Sequence, residues 1–73
     1  MKKALYSREQ KILVERLRQA REDAGLDQNQ AAQKLGTTQS YISKLESGQR
    51  RIDVIQLKEL ARVYKKKIED LIP

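Results

Sequence analysis

Gln39, Ser40, Ser43 and Lys44 fall within one six-residue stretch. On a helix, i, i+4 and i, i+5 spacing puts them on one face. All four are hydrogen-bonding side chains, and their chemistry is that of recognition. A Gln amide can pair bidentately with adenine N6 and N7. A Lys ammonium can donate to guanine O6 or N7, and a Ser hydroxyl adapts to either base. An ordinary solvated helix face has a similar composition, so the face alone leaves both readings open.

A second set suits the sugar–phosphate backbone, where contacts position a domain without reading sequence. Gln28 and Asn29 stand at a helix start, whose free N–H groups and dipole favour an anionic oxygen. Asp27 beside them is a cap and repels phosphate weakly. Gln33, Lys34 and Thr38 are further candidates. Arg50 and Arg51 follow Gly48 and are expected to flank a duplex; a solvated loop is the alternative. Tyr41 can meet a phosphate or a thymine methyl, or can lie in partial core, and its type does not choose between them.

These residues need helices to position them. The three glycines, at 25, 36 and 48, punctuate a chain whose single Pro is the last residue. Strand alternation is missing, so the fold is expected to be all-α with five helices. The first starts at Ser7, where Ser7 and Gln10 make an S-x-x-Q capping box. Leu13, Leu17, Ala20 and Ala24 recur along it at helical spacing. The second starts at Asp27, with Gln30 completing a D-x-x-Q box and Leu26 and Ala31 as a hydrophobic staple. The third is capped by Thr38 or Thr37 and covers about residues 38 to 47, with Ile42 and Leu45 inward. The fourth starts at Asp53, with Gln56 as its box partner and Leu57, Leu60, Ala61 and Tyr64 facing the core. A short fifth helix, about residues 68 to 72, adds Ile68, Leu71 and Ile72.

At 73 residues the chain allows one domain. Residues 1 to 10 are read as an extension in which the first helix begins near residue 7, and 11 to 73 as the domain proper. Such a domain buries only ~60% of its unfolded surface, so its core is thin. With no Cys there is no disulfide or thiolate metal site, and with no His there is no usual general base, zinc ligand or pH switch. No metal, cofactor or catalytic constellation is expected, and the chain is read as a non-enzyme. The net charge of +6 favours a polyanionic partner. No apolar run approaches a membrane span, and no signal segment is visible, so a cytoplasmic location and no membrane partner are expected. Lys2 and Lys3 can form a basic arm, although disorder is the commoner fate of such a terminus.

Ala32 is small where the second helix crosses the third, and Gly36 can take the left-handed conformation in the turn between them. Ile42 and Leu45 then bury the inner face of the third helix, giving a helix-turn-helix. Gln28, Ala32, Gly36, Ile42 and Leu45 together match the phage repressor and Cro-type helix-turn-helix family, also called Xre-type. LRQARED before Gly25, ISKLESGQRR after the turn and LKELARVYKKKIEDLI at the end resemble the same frame, over roughly residues 11 to 72.

The resemblance implies a lambda repressor-like domain that binds double-stranded DNA as a homodimer, with its third helix in the major groove and half-sites about one helical turn apart. It implies base contacts from Gln39, Ser40 and Lys44, with Ser43 beside them, and a backbone contact from Gln28. It further implies an ion pair between Arg21 and Glu46 across the first and third helices. Three positions depart from the family: Lys65 replaces a customary Gly, Lys67 a Ser or Thr cap, and Ala31 a larger apolar residue. These departures imply a less well held last turn and a looser core at Ala31.

The leading functional expectation is a sequence-specific transcription regulator, a repressor in the first instance. The alternative is an antitoxin or interaction module whose main partner is a toxin or other protein. The sequence does not locate a dimer face, though Ile68, Leu71 and Ile72 can be shared between core and partner.

Overall fold

The computed structural model describes residues 7–73. The Lys2 and Lys3 arm lies outside them. Five helices follow in order: α1 (Arg8–Asp23), α2 (Gln28–Leu35), α3 (Gln39–Glu46), α4 (Val54–Tyr64) and α5 (Ile68–Leu71). There is no strand among the described residues.

Helix starts follow from local side-chain chemistry. Asp27 accepts from Gln30 N at 2.7 Å, and Gln30 Oε1 accepts from Asp27 N at 2.9 Å. Asp53 and Gln56 repeat that reciprocal pair at 2.7 and 3.0 Å. Each box occupies two otherwise free donors. Thr38, not Thr37, caps α3, its Oγ1 accepting from Tyr41 N at 3.1 Å.

The first box is only half formed. Ser7 Oγ accepts from Gln10 N at 3.0 Å, but the Gln10 amide donates to the Arg50 carbonyl at 3.3 Å. A partner 40 residues away thus takes the group that the local pattern assigned to the cap. At α5, Lys67 offers no oxygen to cap with. The reverse half is present, with Lys67 N donating to Asp70 Oδ2 at 3.2 Å.

Two helix ends show how the chain turns. Gly36 closes α2 with φ +73°, and Thr37 N reaches back to the Ala32 carbonyl at 2.9 Å. This left-handed residue reverses the chain within one position and releases α3 at an angle. Lys65 does the same for α4 with φ +59°, and Lys66 N donates to the Ala61 carbonyl at 2.9 Å. The customary Gly is therefore not needed to form the turn. Its absence leaves a Cβ in a conformation that costs a non-Gly residue about 1–2 kcal/mol.

The core lies where α1 packs against α3, α4 and α5 and where α2 packs against α3 and α4. Leu17, Ala20, Ala31, Leu45, Leu57, Leu60, Ala61, Tyr64 and Leu71 form its central cluster. Ala31 is 0% exposed, so the smaller residue is closed over by its neighbours and opens no path to solvent. On α1 the buried stripe is Val14, Leu17, Ala20 and Arg21. Leu13 and Ala24 sit half-buried at its edge. Ile72 departs from expectation. α5 stops at Leu71, the backbone at Ile72 is extended, and its side chain is 44% exposed. Leu71, at 1% exposure, is wholly taken up by the core.

Candidate nucleic-acid interface

α3 is held on its inner face and open on its outer one. Ile42 and Leu45 are buried, whereas Gln39, Ser40 and Lys44 are exposed. Ser43 is half-buried at the edge of that face. Three of the four candidate readers therefore share an open surface, and the fourth borders it.

The outer face is coupled to the interior through a chain of hydrogen bonds. Arg21 Nε donates to Glu46 Oε2 at 2.7 Å and Arg21 Nη2 to Glu46 Oε1 at 3.0 Å. Their side chains are 10% and 7% exposed. Arg21 Nη1 donates to the Leu26 carbonyl at 2.9 Å, tying the α1–α2 link to the same group. The fork geometry matches guanidinium to carboxylate. The hydrogen bonds that Arg21 donates to Glu46 favour its charged form and hold the Arg21 pKa above its ordinary value, against an opposing push from burial.

Glu46 Oε1 also accepts from Gln28 Nε2 at 3.0 Å, and Gln28 Oε1 accepts from Gln39 Nε2 at 2.6 Å. Because a carboxylate only accepts, it fixes which end of the Gln28 amide faces it. That in turn fixes Gln39, whose NH₂ must face Gln28. Gln39 keeps one N–H and its carbonyl oxygen free. One donor and one acceptor on the same amide is the set that adenine N7 and N6 require. Gln28 thus spends its side chain inside the protein, aligning Gln39. Its backbone N–H remains at the start of α2 beside that of Asn29, which is exposed.

Tyr41 is half-buried and packs against the core. Its hydroxyl is hydrogen-bonded to the Gln56 amide, joining α3 to α4. The Arg50 guanidinium lies 4.9 Å from the centre of its ring, within cation–π range. With the Arg50 carbonyl held by Gln10, the loop after α3 is fastened from two sides. The sequence pattern makes Gln10 and Gln56 caps and nothing more. No local pattern signals their second roles, because both partners are remote in sequence.

The basic residues are distributed over several faces. Arg50 stays with α3 through Tyr41, whereas Arg51 lines a groove with Gln10, Leu13 and Ile72. Lys34 lines another with Leu26, Arg62 and Lys65. Gln33 and Thr38 are exposed, the latter at the start of α3. Beneath the site, burial pushes the Tyr64 hydroxyl up to about 12; the field of Glu46 adds to this and that of Arg21 opposes it.

No group of three or more Asp or Glu side chains able to hold a metal ion occurs among the described residues. No helix among them is long and apolar enough to cross a membrane.

Comparison with solved structures finds the restriction-modification controller protein C.AhdI from Aeromonas hydrophila, at a TM-score of 0.80 and 28% identity over 88% of this chain and 93% of that one. It also finds the structure of FeII HppE, at a TM-score of 0.82 and 27% identity over 89% of this chain. That second match spans only 35% of the other chain. The sequence has no His and no Cys. Comparison with curated protein sequences finds no match. The helix-turn-helix family model matches residues 17–71, which include both halves of the ion pair, the Gly36 turn and all of α3. The chain belongs to the helix-turn-helix family, of the Cro/C1 type.

Proposed function

We propose that this protein is a sequence-specific double-stranded DNA-binding transcription regulator. It works as a repressor, placing α3 in the major groove as a homodimer. The observation that carries this reading is the open polar face of α3 with Gln39 aligned by Gln28, itself held by the buried Arg21–Glu46 pair. A solvated face has no need of a side chain oriented from the core outward. Gln39, Ser40 and Lys44 read base edges, with Ser43 at the margin. Asn29, Thr38, the backbone of Gln28, and Arg50 hold phosphates; Gln33, Lys34 and Arg51 add weaker, outlying contacts. Tyr41 supports Arg50 more than it touches DNA.

The likeness to a restriction-modification controller favours a regulator over an antitoxin or other protein-binding module. Such a protein acts in the cytoplasm, where its DNA is. The test is selection of bound sequences from random duplex DNA at fixed salt. A dyad-symmetric consensus supports the reading, and Gln39→Ala then relaxes preference at one position of each half-site. Salt-sensitive binding without a consensus refutes base readout.

A further inference from the structure

Lys34, Arg62 and Lys65 line one groove of about 520 Å³, at the edge where α2 and α4 both end. Ala24, Leu26 and Val63 complete its lining, and no carboxylate is among them. The volume lies in the ~300–1,000 Å³ range of small-molecule sites.

We propose that this groove binds a small organic molecule bearing linked phosphates, of the nucleoside triphosphate type. The inference goes beyond the DNA-binding reading, since α3 supplies none of the lining residues.

The cations are not spent elsewhere. Lys and Arg near a helix C-terminus ordinarily bond its last carbonyls. Here backbone N–H groups take them. Gly36 N and Thr37 N donate to the Gln33 and Ala32 carbonyls at 3.2 and 2.9 Å, and Lys65 N and Lys66 N to those of Arg62 and Ala61 at 3.2 and 2.9 Å. Carboxylates do not claim the two lysines either. Among the described residues Lys34 and Lys65 have no ion-pair partner. Glu22 and Asp23, just before Ala24, are paired with Arg18 and Lys66, which do not line the groove.

Arg62 does pair with Glu59, but the two side chains are 67% and 53% exposed, and such a pair contributes little. A phosphate can take the guanidinium from it at small cost. Glu59 itself lines a different groove, with Tyr41 and Ile55. Two helix C-termini together bring about −1 of dipole charge, so three cations leave the groove positive even with Glu59 counted in full.

The ligand class follows from this arrangement. The cations come from α2, α4 and the link after α4, so linked phosphates engage more of them than one orthophosphate does. Half-buried Leu26 and Val63 offer an apolar patch beside them for an organic ring. Six lining residues fall far short of the ~20–30 a side that a stable protein interface uses, which disfavours an acidic protein partner.

Backbone amide chemical shifts followed by NMR at fixed salt test the proposal, with ATP, orthophosphate and hexaglutamate as probes. ATP should shift the amides of Ala24, Leu26, Lys34, Val63 and Lys65 saturably, and bind at least about tenfold tighter than orthophosphate. Arg62→Gln/Lys65→Asn should weaken ATP by about tenfold or more. Asn tolerates the left-handed backbone at position 65, and both residues are exposed, so the fold is retained; circular dichroism confirms it. Lys34 is kept, because it also contacts DNA in the reading above. Lys11→Gln/Lys58→Gln, on exposed surface, removes the same charge elsewhere and should leave ATP binding within about twofold. Shifts confined to α3, or equal weakening in the two double variants, overturn the proposal. Hexaglutamate shifting the same amides as tightly as ATP also overturns it, and assigns the groove to an acidic protein segment.

Discussion

Removing Glu46 should damage this protein more than its single partially open position suggests. Glu46→Ala deletes the acceptor of two Arg21 hydrogen bonds, at 2.7 and 3.0 Å, and of one from Gln28, at 3.0 Å. It leaves a guanidinium whose side chain is 10% exposed without its counter-charge. Breaking one side of a buried pair costs about 3–5 kcal/mol. Arg21 retains its bond to the Leu26 carbonyl, which puts the expected loss at the lower end, about 3 kcal/mol.

A chain of 73 residues has a total stability of roughly 4–11 kcal/mol. The variant therefore keeps a small margin at best. For a domain of this size each kcal/mol moves the midpoint by about 4–8 °C, so Tm should fall by about 12–24 °C. Thermal and urea unfolding followed by circular dichroism measure this. The cycle is closed with Glu46→Leu, Arg21→Met and the double variant Arg21→Met/Glu46→Leu. Because replacing both partners strands no charge, the double variant should lose less than either single one. Single-variant losses below about 1 kcal/mol, or a double variant that simply sums them, would refute the claim that the pair is desolvated and coupled.

Other outcomes follow from individual groups. The Tyr64 hydroxyl is raised from 10.0 to about 12, so between those values the unfolded chain ionises first and releases protons. Its contribution is fully present below pH 10 and is lost as pH rises through about 12, a loss of order 2–3 kcal/mol. Tyr64→Phe should flatten that alkaline arm in urea titrations, and an unchanged arm contradicts the assignment. Lys65→Gly relieves the Cβ at φ +59° and should raise Tm by about 4 °C, net of the added freedom of the unfolded chain. A fall in Tm means the Lys side chain contributes more than its backbone strain costs. Gln28→Ala leaves Gln39 unaligned, so in competition binding it should reduce base preference at the Gln39 position as well as overall affinity; a uniform loss across sequences assigns Gln28 to the phosphate alone.

Much of this architecture was legible in the residues because its signals are local. Asp27 with Gln30 and Asp53 with Gln56 are capping boxes in sequence and in structure, since donor and acceptor are three residues apart and any helix start brings them together. The burial of Ala32, Ile42 and Leu45 and the left-handed turn at Gly36 likewise follow from spacing that a helix pair imposes. The Arg21–Glu46 pair came from family resemblance, not from any local rule, and the structure places it as expected.

What the sequence determined, then, was the helices, their caps and the polar character of the α3 face. Helix periodicity and capping act within a few residues, so they can be read along the chain. The tertiary structure decided the use of side chains whose partners are distant. Gln10 left its cap for the Arg50 carbonyl, Tyr41 joined Gln56 and the core, and Gln28 turned inward to Glu46 and Gln39. It also separated Arg50 from Arg51 and brought Ile72 to the surface while burying Leu71. A polar side chain can satisfy its hydrogen bonds in several ways at once. Which way holds depends on what packing brings within about 3 Å, and packing is set by the whole chain.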